Sequence, residues 1–393
     1  MRLAELTAFH VRIPLRGEIR HASHARTETD SLIVRCRLND GSIGWGEGLP
    51  RHYVTGETIE QAWELFETVD LDRRLGGSFD GLAEGIALLQ PWELPYSPSD
   101  DRRCFGNSLR CAVELSILDA MCRAEGVPLS AVTRMVPETI AVRQSVPRVR
   151  YSGAFTAHSA WKQWRRAVQL RLFGFHQAKV KVGVEGVDDA MVLRRLRRVL
   201  GSTFDLRIDV NEAWTCARLP ERWERLRPFG ISAVEQPVPH AEVAGLAALR
   251  PRLGVPVILD ESVCSEADAR RAIEGGWCDL FNLRLSKCGG FLPALHLAAL
   301  AHQAGLGYQL GCQVGETGIL SAAGRHFASS VANIRYLEGS YDRFLVRERL
   351  TVDDLTFGFG GYAPALTGPG LGVTVDLAAV ARVTVRQHTR AFN

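Results

Sequence analysis

Alternation of apolar and polar residues marks the start of the chain and then gives way to helical spacing. Residues 2–14 and 31–38 repeat with the two-residue period of half-buried strands. Apolar residues then recur at helical spacing near Thr58 to Val69 and from Asn107 to Ala124. We therefore predict an α+β module in residues 1–130.

From about residue 138 the pattern becomes a regular succession of short strands and amphipathic helices. Helical spacing is found, for example, at Ala190–Leu200 and Glu266–Glu274. Eight apolar segments alternate with such helices, and we predict strands at Ile140–Gln144, Ala178–Val182, Leu206–Val210, Ala233–Gln236, Val257–Asp260, Leu280–Leu285, Tyr308–Gly311 and Ile334–Leu337. Eight strands with helical crossovers favour a β/α barrel of TIM type over residues 131–350.

Two further features of the pattern bear on the fold. No glycine-rich fingerprint follows the first predicted barrel strand, which argues against a dinucleotide-binding fold. Residues 351–393 are rich in glycine and end in short strand-like pieces. We expect this tail to return to the N-terminal module. The predicted fold class is therefore α/β, a barrel with an N-terminal capping domain that the C-terminal segment completes.

Composition and charge narrow the class of protein. The 393 residues are 46% hydrophobic and 23% charged, as in ordinary globular domains, and the formal net charge is only +3. So small a charge on a chain of this length indicates neither a nucleic-acid nor a membrane partner. The most apolar helical stretch, Leu292 to Leu306, is interrupted by His296 and His302 and is too short and polar to span a bilayer. We expect a soluble protein.

The cysteines indicate a reducing compartment. The nine cysteines form no CxxC pair and no cysteine–histidine cluster with zinc spacing. Cys36 and Cys278 lie inside apolar stretches, where a reduced thiol packs as a small apolar group. The N-terminus lacks the apolar core of a signal peptide. These features favour the cytoplasm.

Acidic residues stand at the ends of three consecutive predicted barrel strands. Asp209, Glu235 and Asp260 are 26 and 25 residues apart, one β/α unit in each case. In a barrel these strand ends meet on one rim, where such folds carry their active sites. One acid there is more often a helix cap or a surface ion pair, but three carboxylates side by side would repel each other without a cation. Hard oxygen ligands suit Mg²⁺ or Mn²⁺.

Two lysines occur one β/α unit earlier. Lys179 and Lys181 alternate along their strand, so both side chains are expected to point into the barrel. Two buried ammonium groups without partners would be costly. A contact with substrate would resolve this for one lysine, and a nearby dication would favour the neutral, basic form of the other. The assembly therefore predicts enolisation, in which a metal holds a carboxylate while a lysine removes the adjacent proton.

Four motifs together resemble the muconate-lactonizing subgroup of the enolase superfamily. They are KVK at 179–181, DVNEAW at 209–214, VEQP at 234–237 and LDES at 259–262. That subgroup includes muconate cycloisomerases, dipeptide epimerases, N-acylamino acid racemases and o-succinylbenzoate synthases. The resemblance extends over nearly the whole chain, since residues 45–58 resemble the capping segment and residues 366–376 the C-terminal return.

The resemblance implies a role for each of these residues. The implied roles are metal ligands for Asp209, Glu235 and Asp260, a base for Lys181, and a contact to the substrate carboxylate for Lys179. Glu316, in the segment GCQVGETG, would be the strand-seven acid that the subgroup ties to the fifth-strand motif. No histidine lies near Glu316 to act as the strand-seven base of mandelate racemases. Members usually form homo-oligomers, so we expect one here.

One position departs from the subgroup pattern. Racemising members carry a second catalytic lysine on strand six, in a pattern like NLK followed by GG, whereas this chain has Arg284 in that position. A guanidinium stays protonated and cannot readily serve as a second base, although it can donate hydrogen bonds to negative charge. Lys287, three residues later, could take the role only if the loop turned it inward. The two-base racemase interpretation is therefore weakened.

Substrate specificity is expected from loops of the cap that close over the barrel. The candidate segments are Arg20 to Arg26 and Arg51 to Thr55. Candidate substrate contacts are Asn211, Lys287, Glu338, His21 and Tyr53. The histidines of these segments, His21, His24 and His52, are more often plain surface residues.

We expect a Mg²⁺- or Mn²⁺-dependent enzyme that acts on a small carboxylate by a cycloisomerase-like or lyase-type reaction. The first alternative is an epimerase or racemase of dipeptides or N-acylamino acids. An alternative of a different class is a non-catalytic enolase-fold protein that binds a carboxylate. Uptake of solvent deuterium into a bound carboxylate would separate catalysis from binding alone.

Overall fold

An antiparallel sheet of four strands forms the base of the N-terminal module. The computed structural model describes residues 1–20, 25–90, 92, 94, 100–155 and 159–392. The strands are β1 Leu3–Arg20, β2 Ala25–Leu38, β3 Ile43–Gly48 and, from the end of the chain, β14 Thr384–Ala391. Their order in the sheet is β14-β1-β2-β3. Because β14 pairs antiparallel with β1, the expected return of the tail to the N-terminal module is confirmed.

Helix packing on this sheet depends on three glycines of β3. The helices here are α1 His52–Thr55, α2 Ile59–Thr68, α3 Leu71–Leu75, α4 Gly81–Leu89, α5 Asn107–Ala124 and α6 Val132–Met135. A Cβ added to Gly44, Gly46 or Gly48 would lie 2.2, 2.0 or 1.9 Å from backbone atoms of α5. The α5 backbone therefore lies directly on β3, with no room for a side chain between them. The two helices predicted in this module are both found.

Eight parallel strands form the second sheet. They are β5 Gly153–Phe155, β6 Gln177–Lys181, β7 Asp205–Asp209, β8 Ile231–Glu235, β9 Val257–Leu259, β10 Leu280–Leu283, β11 Gly307–Leu310 and β12 Ile334–Leu337. Neighbours in sequence are neighbours in the sheet. The N–H of Ser152, just before β5, donates to the carbonyl of Leu337 in β12 at 2.7 Å. The two ends of the sheet therefore meet, and the predicted β/α barrel is confirmed.

The remaining helices follow β5 in the chain, and most of them lie between strands of the barrel in sequence. Those after β5 are α7 Ala160–Leu172, α8 Asp189–Leu200, α9 Leu219–Leu226, α10 Leu246–Leu253, α11 Glu266–Glu274, α12 Leu285–Cys288, α13 Phe291–Gln303, α14 Gly318–Ser330, α15 Asp342–Leu345 and α16 Leu377–Val383. A small sheet pairs β4 Arg148–Arg150 with β13 Tyr362–Pro364. Among the helices of the described ranges, none has the length and apolar character needed to cross a membrane.

The first predicted barrel strand, Ile140–Gln144, is wrong. Residues Pro137–Val142 form a 3₁₀ helix instead, and the first barrel strand is the three-residue β5. The side chain of Thr139 donates to the carbonyls of Thr133 and Val136, which stabilises the turn, and Ile140 is 70% exposed. The β-branched residues of this segment resembled a strand, whereas β5 is too short to show alternation. The other seven predicted strands are found within two residues at each end.

Candidate active site

The barrel brings Asp209, Glu235 and Asp260 to one edge of the sheet. Asp209 ends β7 and lies opposite Glu235, which ends β8. Asp260 follows directly after β9. The three residues are at most 1% exposed. Since buried carboxylates are costly unless paired, the basic groups that contact them decide the chemistry of this edge.

Lys179, on β6, is the shared counter-ion of three carboxylates. Its Nζ lies 3.1 Å from Asp209 Oδ2, 3.2 Å from Glu235 Oε1 and 3.0 Å from Glu338 Oε1. Burial alone would lower the pKa of Lys179, but the three carboxylates raise it well above its usual range. The ammonium stays charged and faces protein oxygens. The substrate contact expected for Lys179 would need one of these contacts to be released.

Lys181 differs from Lys179 in having no close partner. It lies two residues later on the same face of β6, opposite Asp209 in the register of the sheet. Its side chain is half-buried. Within the described ranges, Lys181 makes no hydrogen bond or ion pair with another residue. The two lysines of β6 therefore differ in their contacts, because only Lys179 is held by close carboxylate oxygens.

Lys287 makes three contacts, two of them with Asp260. Its Nζ lies 3.0 Å from Asp260 Oδ1, and it donates to the carbonyls of Asp260 at 2.5 Å and Asn282 at 2.8 Å. An ammonium group has three protons, so these acceptors use all of them. Lys287 is also completely buried. In this arrangement all three protons of Lys287 face protein acceptors, and its expected contact with substrate stays a prediction.

Arg284 reaches the other oxygen of Asp260. It follows β10 directly, and its Nη2 contacts Asp260 Oδ2. The side chain is only 8% exposed. Its Nε has no hydrogen-bond partner among the residues that the structure describes. Arg284 is therefore buried at the candidate site with at least one N–H unsatisfied.

Arg207 is a site residue that the sequence analysis missed. It lies two positions before Asp209 on β7, on the same face of the strand, and is completely buried. Its Nη2 contacts Glu338 Oε1, and its Cζ lies 4.3 Å from the ring centroid of Tyr336. Glu338, expected to contact substrate, is thus bridged between two protein cations. Burial would raise the pKa of Glu338, but Lys179 and Arg207 lower it.

Two amides orient Glu235 and were also missed. Asn282 on β10 donates from Nδ2 to Glu235 Oε1 at 2.8 Å, and Gln309 on β11 donates from Nε2 to Oε2 at 3.1 Å. Burial raises the pKa of Glu235, although the charge of Lys179 opposes this. The position of these two amides within predicted barrel strands could have identified them. A polar residue inside such a strand must face the interior of the barrel or be paired.

Asn211 and Glu261 add polar groups at the same edge. Asn211 has a φ of 44°, in the left-handed region, and its N–H donates to Asp209 Oδ1 at 3.1 Å. Its side-chain amide lies 3.4 Å from Glu261 Oε1. Burial and the charge of Asp209 raise the pKa of Glu261 to about 8. Asn211, expected to bind substrate, here orients two protein carboxyl groups.

The donor set at this edge fits a hard divalent cation. Glu261 Oε2 is buried without a hydrogen-bond partner among the described residues, and three carboxylates on consecutive strands are the ligands that Mg²⁺ prefers. In the part of the chain that the structure describes, no three acidic, histidine or cysteine side chains already converge to hold an ion. Lys179 and Arg284 contact the carboxylate oxygens instead. The ligand types are suitable, and these basic contacts would have to change.

The N-terminal module contacts the loop that carries Glu316. Arg51 is buried, and its Nη2 donates to the carbonyl of Val314 at 3.0 Å. Glu316 accepts from the N–H of Gln313 at 2.6 Å. Burial, with the charge of Glu47, raises the pKa of Glu316 to about 8. Within the described ranges Glu316 makes no hydrogen bond with residues 260–262, so the implied tie to the fifth-strand motif is not seen.

The predicted cap contacts are only partly described. Tyr53 is half-buried, and the guanidinium of Arg26 lies 5.5 Å from its ring centroid. His52 is exposed. His21 and His24, and the side chain of Arg20, lie outside the described residues.

Comparison with known proteins gives consistent matches. The sequence pattern of the family described as enolase C-terminal domain-like matches residues 162–379. The hydrophobic dipeptide epimerase of Enterococcus faecalis is 27% identical over 311 residues, which cover 78% of this chain and 80% of that protein. Muconate cycloisomerase 1 of Rhodococcus opacus is 28% identical over 376 residues, 94% of either chain. Epimerases and a cycloisomerase are thus both similar to this chain.

A solved structure shows the same fold. The dipeptide epimerase from Cytophaga hutchinsonii, complexed with Mg and the dipeptide D-Ala-L-Val, is similar with a TM-score of 0.82 at 23% sequence identity. The similarity covers 99% of this chain and 100% of that one. At this level of identity, the likeness establishes the shared fold.

Proposed function

Because this chain belongs to the enolase C-terminal domain-like family, we propose that it is a divalent-metal enzyme that removes the proton next to a substrate carboxylate. The observation that carries the proposal is the contrast between the two lysines of β6. Lys179 is paired with three carboxylates, whereas Lys181 has no partner in the described ranges. A base needs a nitrogen that protein acceptors do not occupy, and Lys181 Nζ makes no hydrogen bond or ion pair within the described ranges.

The proposed metal ligands are Asp209, Glu235 and Asp260. Mg²⁺ is the proposed ion and Mn²⁺ the alternative. When bound, the ion supplies positive charge that holds the substrate carboxylate and stabilises the negative charge that develops on it. The position of the three carboxylates at the ends of consecutive strands supports this assignment. The Mg in the Cytophaga hutchinsonii structure agrees with it.

Residues of the chain supply the remaining steps. Lys181 Nζ accepts the α-proton. Lys179 remains protonated, holds the carboxylates around it in place and favours a substrate carboxylate near its charge. Arg284 donates hydrogen bonds toward the developing negative charge. These roles need one base, on one face of the substrate.

The proposed reaction is therefore cycloisomerase-like or an elimination. Lys287 directs its three protons at protein oxygens, and Arg284 does not accept a proton at neutral pH, so neither supplies a second base. Epimerisation of a dipeptide or an N-acylamino acid is the second candidate. It is favoured by the similarity to the Enterococcus faecalis dipeptide epimerase over 78% of this chain.

Further parts of the proposal concern organisation and location. We divide the chain into a capping domain at 1–130, a barrel at 131–350 and a returning segment at 351–393. The protein is proposed to be a cytoplasmic homo-oligomer that binds a small carboxylate. The nine cysteines are free thiols, and seven of them are buried, which agrees with a reducing compartment.

A deuterium-exchange screen tests the proposed function. Dipeptides, N-acylamino acids, muconates and hydroxy acids are incubated with the protein and Mg²⁺ in deuterated water, and the α-proton is followed by NMR. We expect exchange or turnover within one substrate class, and its loss after exhaustive chelation or in Asp260→Asn. Arg250→Met is the control, because its partner Asp279 lies at the opposite end of the strands. Full activity after chelation would refute the metal requirement.

A further inference from the structure

Arg284 occupies an oxygen that a metal ion at this edge would need. We infer that Arg284 is an internal cation that competes with the divalent metal for Asp260, so that the Arg284–Asp260 ion pair and metal binding exclude each other. The inference rests on the proposed metal-dependent function and concerns how tightly this chain binds the ion. It is carried by the contacts of Asp260 and by the incomplete hydrogen bonding of Arg284.

The two oxygens of Asp260 have different partners. Oδ1 lies 3.0 Å from Lys287 Nζ, and that ammonium is itself fixed by two backbone carbonyls. Oδ2 contacts Arg284 Nη2. Since Oδ1 is already bound to a fixed group, Oδ2 is the oxygen that Asp260 can offer to an ion. The competing contact is therefore the one made by Arg284.

The two basic residues are not equivalent in how firmly they are held. Lys287 has three acceptors and is completely buried. Arg284 has one contact to Asp260, and its Nε has no partner among the described residues although the side chain is only 8% exposed. A group with one ion pair and unused donors loses little hydrogen bonding when it moves. Arg284 is thus the group that a metal ion can displace from Asp260.

Charge repulsion opposes simultaneous binding of Arg284 and a metal ion to Asp260. A guanidinium and a dication that share one carboxylate oxygen lie a few ångström apart, and like charges at that distance repel strongly even at a high effective dielectric. Besides Asp209 and Glu235, Lys179 contacts Glu338, which is not one of the proposed ligands. Displacement of Arg284 from Asp260 is therefore one contact change that opposes metal binding, and it lowers the affinity of this chain for the ion.

Binding of Mn²⁺ to the full chain, without substrate, tests the inference. Affinity is measured by titration with detection of free Mn²⁺ by electron paramagnetic resonance. We expect Arg284→Met to bind Mn²⁺ at least about tenfold more tightly than the wild type. Arg284→Lys, which keeps the charge, should stay within about threefold of the wild type, as should the control Arg250→Met. Thermal unfolding provides a second readout, because Mn²⁺ should raise the Tm of Arg284→Met more than that of the wild type.

Each outcome decides the inference. Tighter binding in Arg284→Met, with Arg284→Lys near the wild type, supports it. Equal or weaker binding in Arg284→Met overturns it and leaves the proposed function standing, since the wild type still binds the ion. Absence of Mn²⁺ binding in every form overturns both. If Arg284→Met does not fold, Arg284→Gln removes the same charge and takes its place in the comparison.

Discussion

Lys287 and Asp260 form a buried pair in which Lys287 Nζ lies 3.0 Å from Oδ1 and 2.5 Å from the backbone carbonyl of the same aspartate. The lysine therefore fixes both the side chain and the main chain of a proposed metal ligand. Such a group positions Asp260 and has no free lone pair for a substrate proton. The two basic residues that follow β10 thus have separate roles. Lys287 holds Asp260 in position, whereas Arg284 is the residue proposed to donate hydrogen bonds to the reacting substrate.

Replacing the two lysines of β6 is expected to have different effects. Lys181→Ala should mainly reduce proton exchange, whereas Lys179→Ala should mainly reduce stability. Lys181→Ala removes a half-buried amine without a partner in the described ranges, so the free energy of unfolding should change by about 0.5 kcal/mol or less. Exchange of the α-proton should fall by at least about a hundredfold. Lys179→Ala leaves three buried carboxylates without their shared counter-ion and should cost about 3–5 kcal/mol.

Urea unfolding followed by circular dichroism, together with exchange measured by NMR, separates these effects. A Lys181→Ala variant that keeps its exchange rate would remove Lys181 from the mechanism. A Lys179→Ala variant with wild-type stability would show that its three contacts contribute little to the fold.

Glu57 links the stability of the protein to pH. It is a completely buried carboxyl group that accepts from the N–H of Ser108 at 3.1 Å and from its hydroxyl at 2.9 Å. Burial raises the pKa of Glu57 from 4.5 to about 7. Because the folded pKa is raised, the group contributes stability below its unfolded pKa. That contribution is lost as pH rises from about 4.5 through about 7.

Glu57→Gln removes this titration while keeping the shape of the side chain. Between pH 4.5 and 8, the wild type should lose about 3 kcal/mol of unfolding free energy relative to the variant, since one pKa unit corresponds to about 1.4 kcal/mol. Urea midpoints at four pH values measure the difference. The control is Glu64→Gln, an exposed carboxyl group of α2. A stability difference that does not vary with pH would contradict the prediction.

The barrel and its acidic edge could be predicted because both follow from local pattern. Parallel strands end at the same edge, so Asp209, Glu235 and Asp260 had to lie side by side once their strands were identified. The failure at Ile140–Gln144 has a local cause as well. Its β-branched residues lie in a 3₁₀ turn, and the true first strand is three residues long.

The pairing of basic and acidic groups could not be predicted in the same way. It depends on side-chain lengths and rotamers across strands that are distant in sequence. Lys179 and Glu338 are 159 residues apart, and Arg207 and Glu338 are 131 residues apart. The alternation of side chains along a strand predicts only that such residues point into the barrel. The contacts of Glu338 and Lys287 with other protein residues were therefore not foreseen, and their expected contacts with substrate stay predictions.

Gly46→Ala should disrupt the packing of α5 on β3. A Cβ at this position would lie 2.0 Å from the carbonyl oxygen of Ala112, a backbone atom that cannot move without shifting the helix. We expect a loss of at least about 3 kcal/mol in the free energy of unfolding. Gly17→Ala is the control, because nothing lies within 4 Å of a Cβ there. Equal denaturation midpoints for both variants would show that α5 can move away from β3 at little cost.

Arg284 should restrict proton transfer to one face of the substrate. Lys181 takes the α-proton from one side, and a racemase needs a second acid–base group on the other. A guanidinium donates hydrogen bonds but does not accept a proton at neutral pH. With the substrate found in the screen, we expect deuterium uptake into one enantiomer only, without inversion. Chiral chromatography with mass spectrometry of each enantiomer in deuterated water measures this.

Arg284→Lys should supply the second acid–base group that the wild type lacks, if position 284 faces the side of the substrate opposite Lys181. An amine at this position can exchange a proton, whereas Lys287 remains bound to Asp260 and Asn282. We expect the variant to interconvert enantiomers slowly, and Arg284→Met, which has no titratable group, to show no inversion. Rapid interconversion by the unmodified protein would refute the one-base mechanism, because Arg284 cannot return the proton and Lys287 has none of its three protons free.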